Sequence, residues 1–214
     1  MNSNSKNSNY INKKIKKYIY LISPNRINNQ FYNLLNQILK TKKVSFFQLR
    51  LKNYSFEKKT LIGMKVKKIC KRNKVIFLIN DDPVLTKKLN ADGCHLGQGD
   101  MNLTKARMIL KDKIIGVTCH NSLKLAKKAI EDGADYLAFG AFYTSQTKKV
   151  KYRANLRLIK SVKKTTSLPI VAIGGIKLSN YRKLLLNKAN FLAISGYIWN
   201  NKKYKPLEAI KKLK

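Results

Sequence analysis

Short apolar segments alternate with amphipathic segments along most of this chain. The apolar segments are rich in Ile, Val, Phe and Tyr, and they are nearly continuous in hydrophobicity. Such runs are typical of strands in a parallel sheet that is buried on both faces. The predicted strands span residues 18–23, 44–51, 75–80, 93–96, 114–118, 136–140, 170–173 and 191–195.

The segments between the predicted strands have apolar residues at spacings of three and four, which predicts helices. Leu123, Ala126 and Ala129 are one such set, and Gly133 follows as a helix stop. Pro83 is a helix start. The repeats predict an α/β fold, a single (β/α)8 barrel (TIM barrel) with parallel strands. A doubly wound open sheet is the alternative, because periodicity cannot show that a sheet closes.

The domain organisation follows from where core-forming residues begin. Residues 1–17 are polar and basic, and we expect a disordered tail there, with the catalytic barrel spanning residues 18–214. The sequence has no apolar run of eighteen residues and no signal-peptide pattern, so we expect a cytoplasmic protein without a membrane partner. The three cysteines form no CxxC pair, which argues against a disulfide framework or a zinc cluster.

A formal net charge of +36 is the most unusual bulk property of the chain. Clustered Lys and Arg would indicate binding to nucleic acid or to an acidic membrane. Here the lysines are spread along the whole sequence, and no nucleic-acid-binding motif accompanies them. We therefore favour a solvated basic surface without a specific nucleic-acid partner. Such a surface would still steer anionic small molecules toward a cleft.

Polar residues follow most of the predicted strands, where barrel enzymes carry their active sites. Gln48, Arg50 and Lys52 alternate along the second strand, so their side chains share one face. Arg can hold a phosphate with two parallel hydrogen bonds, and Lys adds a point charge. This face is therefore suited to a polyanion.

Four of the ten acidic residues lie close together, between the third strand and the region after the fourth. We expect Asp81 and Asp100, at the ends of neighbouring strands, to bind Mg²⁺, which prefers oxygen ligands and is commonly shared with substrate phosphates. Asp82 precedes Pro83 and is better explained as a helix cap, and Asp92 as a turn residue.

A second anion site is predicted after strands seven and eight. Loops in this position of many barrels bind phosphate through backbone N–H groups, which requires glycine where the ligand approaches. Gly174–Gly175 and Ser195–Gly196 meet that requirement. Two anion sites, one of them with a metal, imply two phosphorylated substrates joined in one cavity.

The chain resembles the thiamine-phosphate synthase family across nearly all of residues 18–214. An ordered set of motifs carries the resemblance: QLRLK at 48–52, ND at 80–81, ADGCHLGQGD at 91–100, GVTCH at 116–120, GADY at 133–136, TKK at 147–149 and VAIGGI at 171–176.

This resemblance implies a transferase that condenses hydroxymethylpyrimidine diphosphate with a thiazole phosphate and releases pyrophosphate. It also implies an Mg²⁺ cofactor and catalytic roles for Arg50, Lys52 and Lys148. By the same resemblance, contacts to the pyrimidine diphosphate come from Gln48, Leu49, Arg50, Leu51, Lys52, Asn80, Thr118 and Lys148. The thiazole phosphate would contact Ser145, Gln146, Thr147, Gly175, Ile194 and Ser195, and the metal ligands would be Asp81 and Asp100.

Two alternative functions and the role of His120 stay open at this point. A thiazole tautomerase or regulatory paralogue on the same barrel would use His120, for which a structural and a functional role are equally compatible with the sequence. A nonenzymatic nucleic-acid binder rests on the charge alone. His95, inside an apolar strand, is expected to pack in the barrel interior. The sequence leaves homo-oligomerisation open.

Overall fold

The computed structural model describes residues 7, 10, 11, 17–144 and 151–213 and contains a closed eight-stranded parallel barrel. Each strand pairs with the next along the chain, and the last strand pairs with the first, so the prediction of a (β/α)8 barrel is confirmed. The open-sheet alternative is wrong. The strands are β1 (Ile19–Ile22), β2 (Val44–Leu49), β3 (Ile76–Asn80), β4 (Gly93–Leu96), β5 (Ile114–Thr118), β6 (Tyr136–Gly140), β7 (Ile170–Ile173) and β8 (Phe191–Ile194).

Helices connect the strands and surround the barrel. They are α1 (Asn29–Lys40), α2 (Phe56–Arg72), α3 (Pro83–Leu89), α4 (Leu103–Leu110), α5 (Leu123–Glu131), α6 (Leu156–Thr165), α7 (Tyr181–Leu186), α8 (Gly196–Trp199) and α9 (Pro206–Lys212). The predicted capping role of Asp82 is confirmed, because its Oδ1 accepts a hydrogen bond of 2.9 Å from Leu85 N at the start of α3. Gly133 follows α5 with a φ of 93°, as a helix stop requires.

Two apolar layers hold this architecture together. The outer layer lies between the sheet and the helices and includes Leu49, Leu51 and Ile194. The inner layer fills the barrel and includes Tyr20 and Tyr136. The alternation of side chains along each strand decides which layer a residue joins. It therefore also decides which residues can face a ligand at the open end.

Ile11 belongs to the inner layer and is fully buried. Asn7 nearby donates a hydrogen bond from its side chain to the backbone oxygen of Asp112, in the loop before β5. At these two positions the chain packs on the end of the barrel where the strands begin. Ile11 therefore contributes a contact to the core from before residue 18, where the sequence analysis places the start of the barrel domain. This contact was not expected from the sequence, because a single apolar side chain among polar neighbours gives no periodic signal.

The remaining aspartates near the strand starts have structural partners. Asp92 Oδ2 accepts a hydrogen bond of 2.7 Å from Phe77 N, which fits its predicted turn role. Asp135 is fully buried and receives Arg107 Nη2 at 2.7 Å and Ile115 N at 2.8 Å. These carboxylates stabilise the end of the barrel opposite the strand C-termini.

Two further sequence predictions concern cysteine chemistry and membranes. Cys70, Cys94 and Cys119 are all buried and unbonded to one another. Within the described part of the chain, no helix has the length and apolar character needed to cross a bilayer.

Candidate active site

A cavity of about 200 Å³ opens at the C-terminal ends of the strands, and most of the predicted polar site residues line it. A second cavity of about 470 Å³ lies beside it, between the ends of β2 and β3, and shares Lys52, Asn80 and Asp81 with the first. The predicted residues that line the first cavity are Gln48, Arg50, Lys52, Asn80, Asp81, Asp100, Thr118 and His120.

Alternate residues of the segment from Gln48 to Lys52 face opposite sides of the sheet. Gln48, Arg50 and Lys52 face the first cavity, while Leu49 and Leu51 are buried in the outer layer and line only the neighbouring cavity. The backbone of Arg50 is held at this strand end by Ser23, whose Oγ accepts from Arg50 N at 2.9 Å. One strand thus presents an amide, a guanidinium and an ammonium group to the same space.

Asp81 and Asp100 bring two carboxylates together at the ends of β3 and β4. Asp81 has a φ of 66°, and its backbone N–H donates to His95 O at 2.8 Å, which fixes the residue at the cavity rim. Asp100 Oδ2 accepts from Gly97 N at 2.7 Å. Burial, followed by the hydrogen bond with the Asp81 carboxyl group, raises the pKa of Asp100 above its usual value. Two adjacent carboxyl groups of this kind favour a shared proton or a bound cation.

The same pair has the chemistry of a partial magnesium site. Mg²⁺ commonly takes one or two protein carboxylates and completes its shell with water and substrate phosphate. Among the described residues, no group of three or more His, Cys, Asp or Glu side chains could hold a metal by itself. The residues therefore fit an ion that is shared with a phosphorylated substrate and do not fit an enclosed structural metal.

The ammonium group of Lys52 lies 3.3 Å from Asp81 Oδ2. The Lys52 side chain is 55% exposed, so the pair is open to solvent and can be exchanged for other partners. A lysine on a predicted anion-binding face is thus in contact with a predicted metal ligand.

The two histidines occupy different positions. His95 lies in the barrel interior as expected, and it also reaches the cavity, where its Nε2 is 2.8 Å from Thr118 Oγ1. His120 lies at the end of β5 with a φ of 52°, and its ring stacks on Tyr152 with centroids 4.2 Å apart. Burial and the charge of Lys151 lower the pKa of His120.

The predicted second anion site is only partly described. Gly174 and Gly175 have φ values of 103° and 62°, and a Cβ on Gly175 would collide with Thr144 O. Ser195 Oγ donates to Ser23 O at 3.3 Å, and Ile194 is buried in the outer layer. The predicted residues Ser145, Gln146, Thr147 and Lys148 lie outside the described residues.

A buried polar chain beneath the cavity was not predicted from the sequence. Tyr20 and Tyr136 have hydroxyl oxygens 2.9 Å apart in the inner layer, and both are almost fully buried. Gln48 contacts one end of this pair and His95 the other. A tyrosine in an apolar strand gives no local signal that its hydroxyl group has a partner on a distant strand.

Comparison with known proteins gives consistent results. The family model described as thiamine monophosphate synthase matches residues 19–198. A protein named thiamine-phosphate synthase from Pelagibacter ubique is 74% identical over 204 residues, which cover 95% of this chain and 99% of that protein. A protein of the same name from Hyphomonas neptunium is 41% identical over 190 residues, with 86% of each chain covered.

A solved structure supports the fold independently. Thiamine phosphate pyrophosphorylase from Pyrococcus furiosus superimposes with a TM-score of 0.81 at 24% identity, covering 92% of this chain and 93% of that one. The similarity in sequence and the match to the family model extend through the strand ends that form the cavity. The chain therefore belongs to the thiamine monophosphate synthase family.

Proposed function

We propose that the mouth of this barrel condenses hydroxymethylpyrimidine diphosphate with a thiazole phosphate, and that Arg50, Lys52, Asp81 and Asp100 manage the charge of the diphosphate. Membership of the family makes the chain a transferase that forms thiamine phosphate from small phosphorylated substrates. The residue roles, the Mg²⁺ cofactor and the placement of each substrate are the proposal.

The observation that carries this proposal is the contact between Lys52 and Asp81, beside the carboxyl group of Asp100. The Lys52 ammonium group is 3.3 Å from Asp81 Oδ2, and the neighbouring carboxyl groups of Asp81 and Asp100 interact with each other. In a barrel whose surface is strongly basic, this arrangement keeps cationic and anionic groups together at one rim. A diphosphate with its counter-ion would interact with both kinds of group, because phosphate oxygens would approach the lysine and the ion would approach the carboxylates.

The proposed reaction breaks one bond and forms another at the pyrimidine methylene carbon. The carbon–oxygen bond breaks, and its electron pair leaves with the pyrophosphate. The ring amino group donates electrons to the carbon that becomes cationic, and the thiazole nitrogen then supplies the pair for the new carbon–nitrogen bond. No protein nucleophile is required, so the protein acts by binding, orienting and stabilising charge.

Arg50 and Lys52 would stabilise the departing pyrophosphate from the β2 side of the cavity. Asp81 and Asp100 would hold Mg²⁺, which supplies additional positive charge to phosphate oxygens when bound. Asn80 lies on the same cavity wall and would bind the diphosphate or its ion shell. Lys148, which follows β6 in the sequence, would add a third cationic side chain.

Gln48 and Thr118 would bind the pyrimidine ring, since both line the cavity and Gln48 is almost fully buried. The strand sequence places Gln48 two and four residues before Arg50 and Lys52. We assign the thiazole phosphate to the segments after β6 and β7 and to the end of β8, with contacts from Ser145, Gln146, Thr147, Gly175, Ile194 and Ser195. The catalytic domain would comprise residues 18–214, with Ile11 as an added contact at its closed end.

The test is formation of thiamine phosphate by purified protein supplied with both substrates, with and without Mg²⁺. We expect product and equimolar pyrophosphate only with the ion, and we expect Asp100→Asn to lose at least about 10²-fold in turnover, as loss of a charge-stabilising group does. Asp82→Asn is the matched control, because it removes the adjacent carboxylate while an Asn can still cap α3. Full activity of Asp100→Asn, or absence of Mg²⁺ dependence, would contradict the proposed metal pair.

A further inference from the structure

Five polar side chains form a continuous hydrogen-bonded chain beneath the cavity. Gln48 Nε2 donates to Tyr20 Oη at 3.0 Å, and Tyr20 Oη lies 2.9 Å from Tyr136 Oη. Tyr136 Oη is 2.8 Å from His95 Nδ1, and His95 Nε2 is 2.8 Å from Thr118 Oγ1. The chain therefore connects Gln48 on β2 to Thr118 on β5 through the inside of the barrel.

Gly116 provides the space for the middle of this chain. In the strand register it lies beside His95 on one side and beside Tyr136 on the other. A Cβ on Gly116 would overlap the Tyr136 ring, and without it the His95 and Tyr136 rings stack with an interplanar angle of 18°. The glycine thus permits a histidine and a tyrosine from strands that are not adjacent to meet.

The chain has a direction, because each hydroxyl group has only one proton to donate. The Gln48 amide donates to Tyr20, so the Tyr20 proton is available for Tyr136. In that arrangement Tyr136 would donate to His95 Nδ1. A neutral His95 has its remaining proton on Nε2 and donates it to Thr118 Oγ1, which leaves the Thr118 proton free.

The neutral form of His95 agrees with its surroundings. The side chain is nearly completely buried, which disfavours the charged imidazolium form. Its two nitrogens have the two partners named above, and neither partner is a carboxylate. A neutral imidazole with one donating and one accepting nitrogen is the form that lets the chain pass through it.

We propose that Tyr20, Tyr136 and His95 are positioning residues that fix Gln48 as a hydrogen-bond acceptor and Thr118 as a donor toward the pyrimidine. With its Nε2 engaged by Tyr20, Gln48 presents Oε1 to the cavity, and Thr118 presents its O–H. An aminopyrimidine offers the complementary pair, an amino N–H and a ring nitrogen. This inference rests on the proposed function for the identity of the ligand.

The direction of the chain makes a prediction about selectivity. An oxo analogue, in which a carbonyl replaces the ring amino group, presents an acceptor where Gln48 also accepts. To bind it, Gln48 would have to turn its amide, and all four hydrogen bonds of the chain would have to reverse together. Sites built to hydrogen-bond one polar pattern reject the mismatched pattern strongly, because buried groups lose their partners.

The first test uses the ligand-free protein and does not depend on its activity. The chain has two histidines, so ¹⁵N-labelled histidine gives two ring systems to assign, with His120→Gln identifying the other. We expect His95 to be the neutral Nε2–H tautomer near neutral pH, and we expect Tyr136→Phe to shift its Nδ1 resonance. A neutral Nδ1–H tautomer would overturn the proposed direction even if the protein is an active synthase.

The second test measures binding and turnover. We expect Tyr20→Phe and Tyr136→Phe each to raise KM for the pyrimidine diphosphate about tenfold, as loss of one buried hydrogen bond does, while KM for the thiazole phosphate stays unchanged. The double variant should be little worse than either single variant, because both break the same chain. Calorimetry with the aminopyrimidine alcohol and its oxo analogue should show reduced discrimination in both variants.

Tyr181→Phe is the matched control, because it removes a fully buried hydroxyl group that lies in the outer layer. Gly116→Ala is a second route to the same defect, since it displaces Tyr136 without removing a hydroxyl group. Unchanged KM and unchanged discrimination in folded Tyr20→Phe and Tyr136→Phe would overturn the proposal. An equal loss with Tyr181→Phe would overturn it too, by showing a nonspecific effect of buried hydroxyl removal. Absence of product from the wild type would instead count against the proposed function. The tautomer of His95 would then still test the direction of the hydrogen-bonded chain.

Discussion

Lys52 and Asp81 form an ion pair of 3.3 Å at the rim of the barrel, where β2 and β3 end. The pair joins the predicted anion-binding face to the predicted metal-binding pair. Because it is open to solvent, its own contribution to stability is small, about 0–1 kcal/mol. In a synthase the pair could separate when a diphosphate and its counter-ion bind together, because Lys52 and Asp81 can each exchange the other for a new partner.

Replacing Lys52 by Gln tests this exchange. We expect turnover to fall about 10²-fold, because one preorganised charge on the departing pyrophosphate is lost. The melting temperature should change little. Lys68→Gln is the matched control, since it makes the same change in net charge on the exposed face of α2. An equal loss of turnover in the two variants, measured with saturating substrates, would show that net charge and not position is responsible.

The buried imidazole of His95 predicts a specific pH dependence of stability. Its pKa is lowered to about 4 in the folded protein, against an ordinary value of about 6.5. The unfolded chain therefore binds more protons between these values, so this contribution is present above pH of about 6.5 and is lost as pH falls toward 4. We expect urea unfolding of His95→Gln to depend less steeply on pH in that window than unfolding of the wild type. Parallel pH profiles would contradict a neutral buried His95.

Breaking the ion pair between Arg107 and Asp135 should lower the stability of the protein without lowering its turnover. The Asp135 carboxylate is fully buried, and Arg107 also donates to the backbone oxygens of Lys111, Lys113 and Gly133. Arg107→Ala should cost about 3–5 kcal/mol, because it leaves a buried charge without its partner. Turnover of the folded fraction should persist, since these groups lie at the opposite end of the barrel from the mouth.

The control for this prediction is Lys127→Ala. It breaks an exposed ion pair with Glu131 and should cost no more than about 1 kcal/mol in denaturant unfolding. Similar losses in the free energy of unfolding for Lys127→Ala and Arg107→Ala would show that the burial of Asp135 does not determine the loss of stability.

A substitution at Ile11 tests where the folded domain begins. It is fully buried in the inner layer, so Ile11→Ala should lower the free energy of unfolding by about 2–4 kcal/mol. Leu61→Ala, at a position 60% exposed, is the control and should have little effect. If urea unfolding gave the same small change for both, the barrel would begin at residue 18 as predicted from the sequence.

The barrel was predictable because each strand carries its own signal. The apolar segments end within two residues of the observed strands, and the segment at 44–51 is the longest overprediction, since β2 ends at Leu49. Arg50 and Leu51 continue the alternation beyond the last paired residue, which the sequence cannot distinguish from strand. The start of α3 was predictable from Asp82 and Pro83, because capping is a local interaction.

The buried polar chain was not predictable in the same way. Tyr20, His95 and Tyr136 lie on three different strands and meet only because the barrel closes. Gly116 has no local role that marks it, and its importance appears only from the register that sets it between His95 and Tyr136. Long-range closure therefore creates the interior of the site, whereas local patterns determine its charged rim.

The most direct test of the proposed synthase reaction is the two-substrate reaction of the purified protein with Mg²⁺, followed by simultaneous measurement of thiamine phosphate and pyrophosphate. We expect equimolar products that require the ion, and loss of at least about 10²-fold in turnover in Asp100→Asn with retention in Asp82→Asn. Thiazole isomerisation without coupling, or no product from folded wild-type protein, would contradict it.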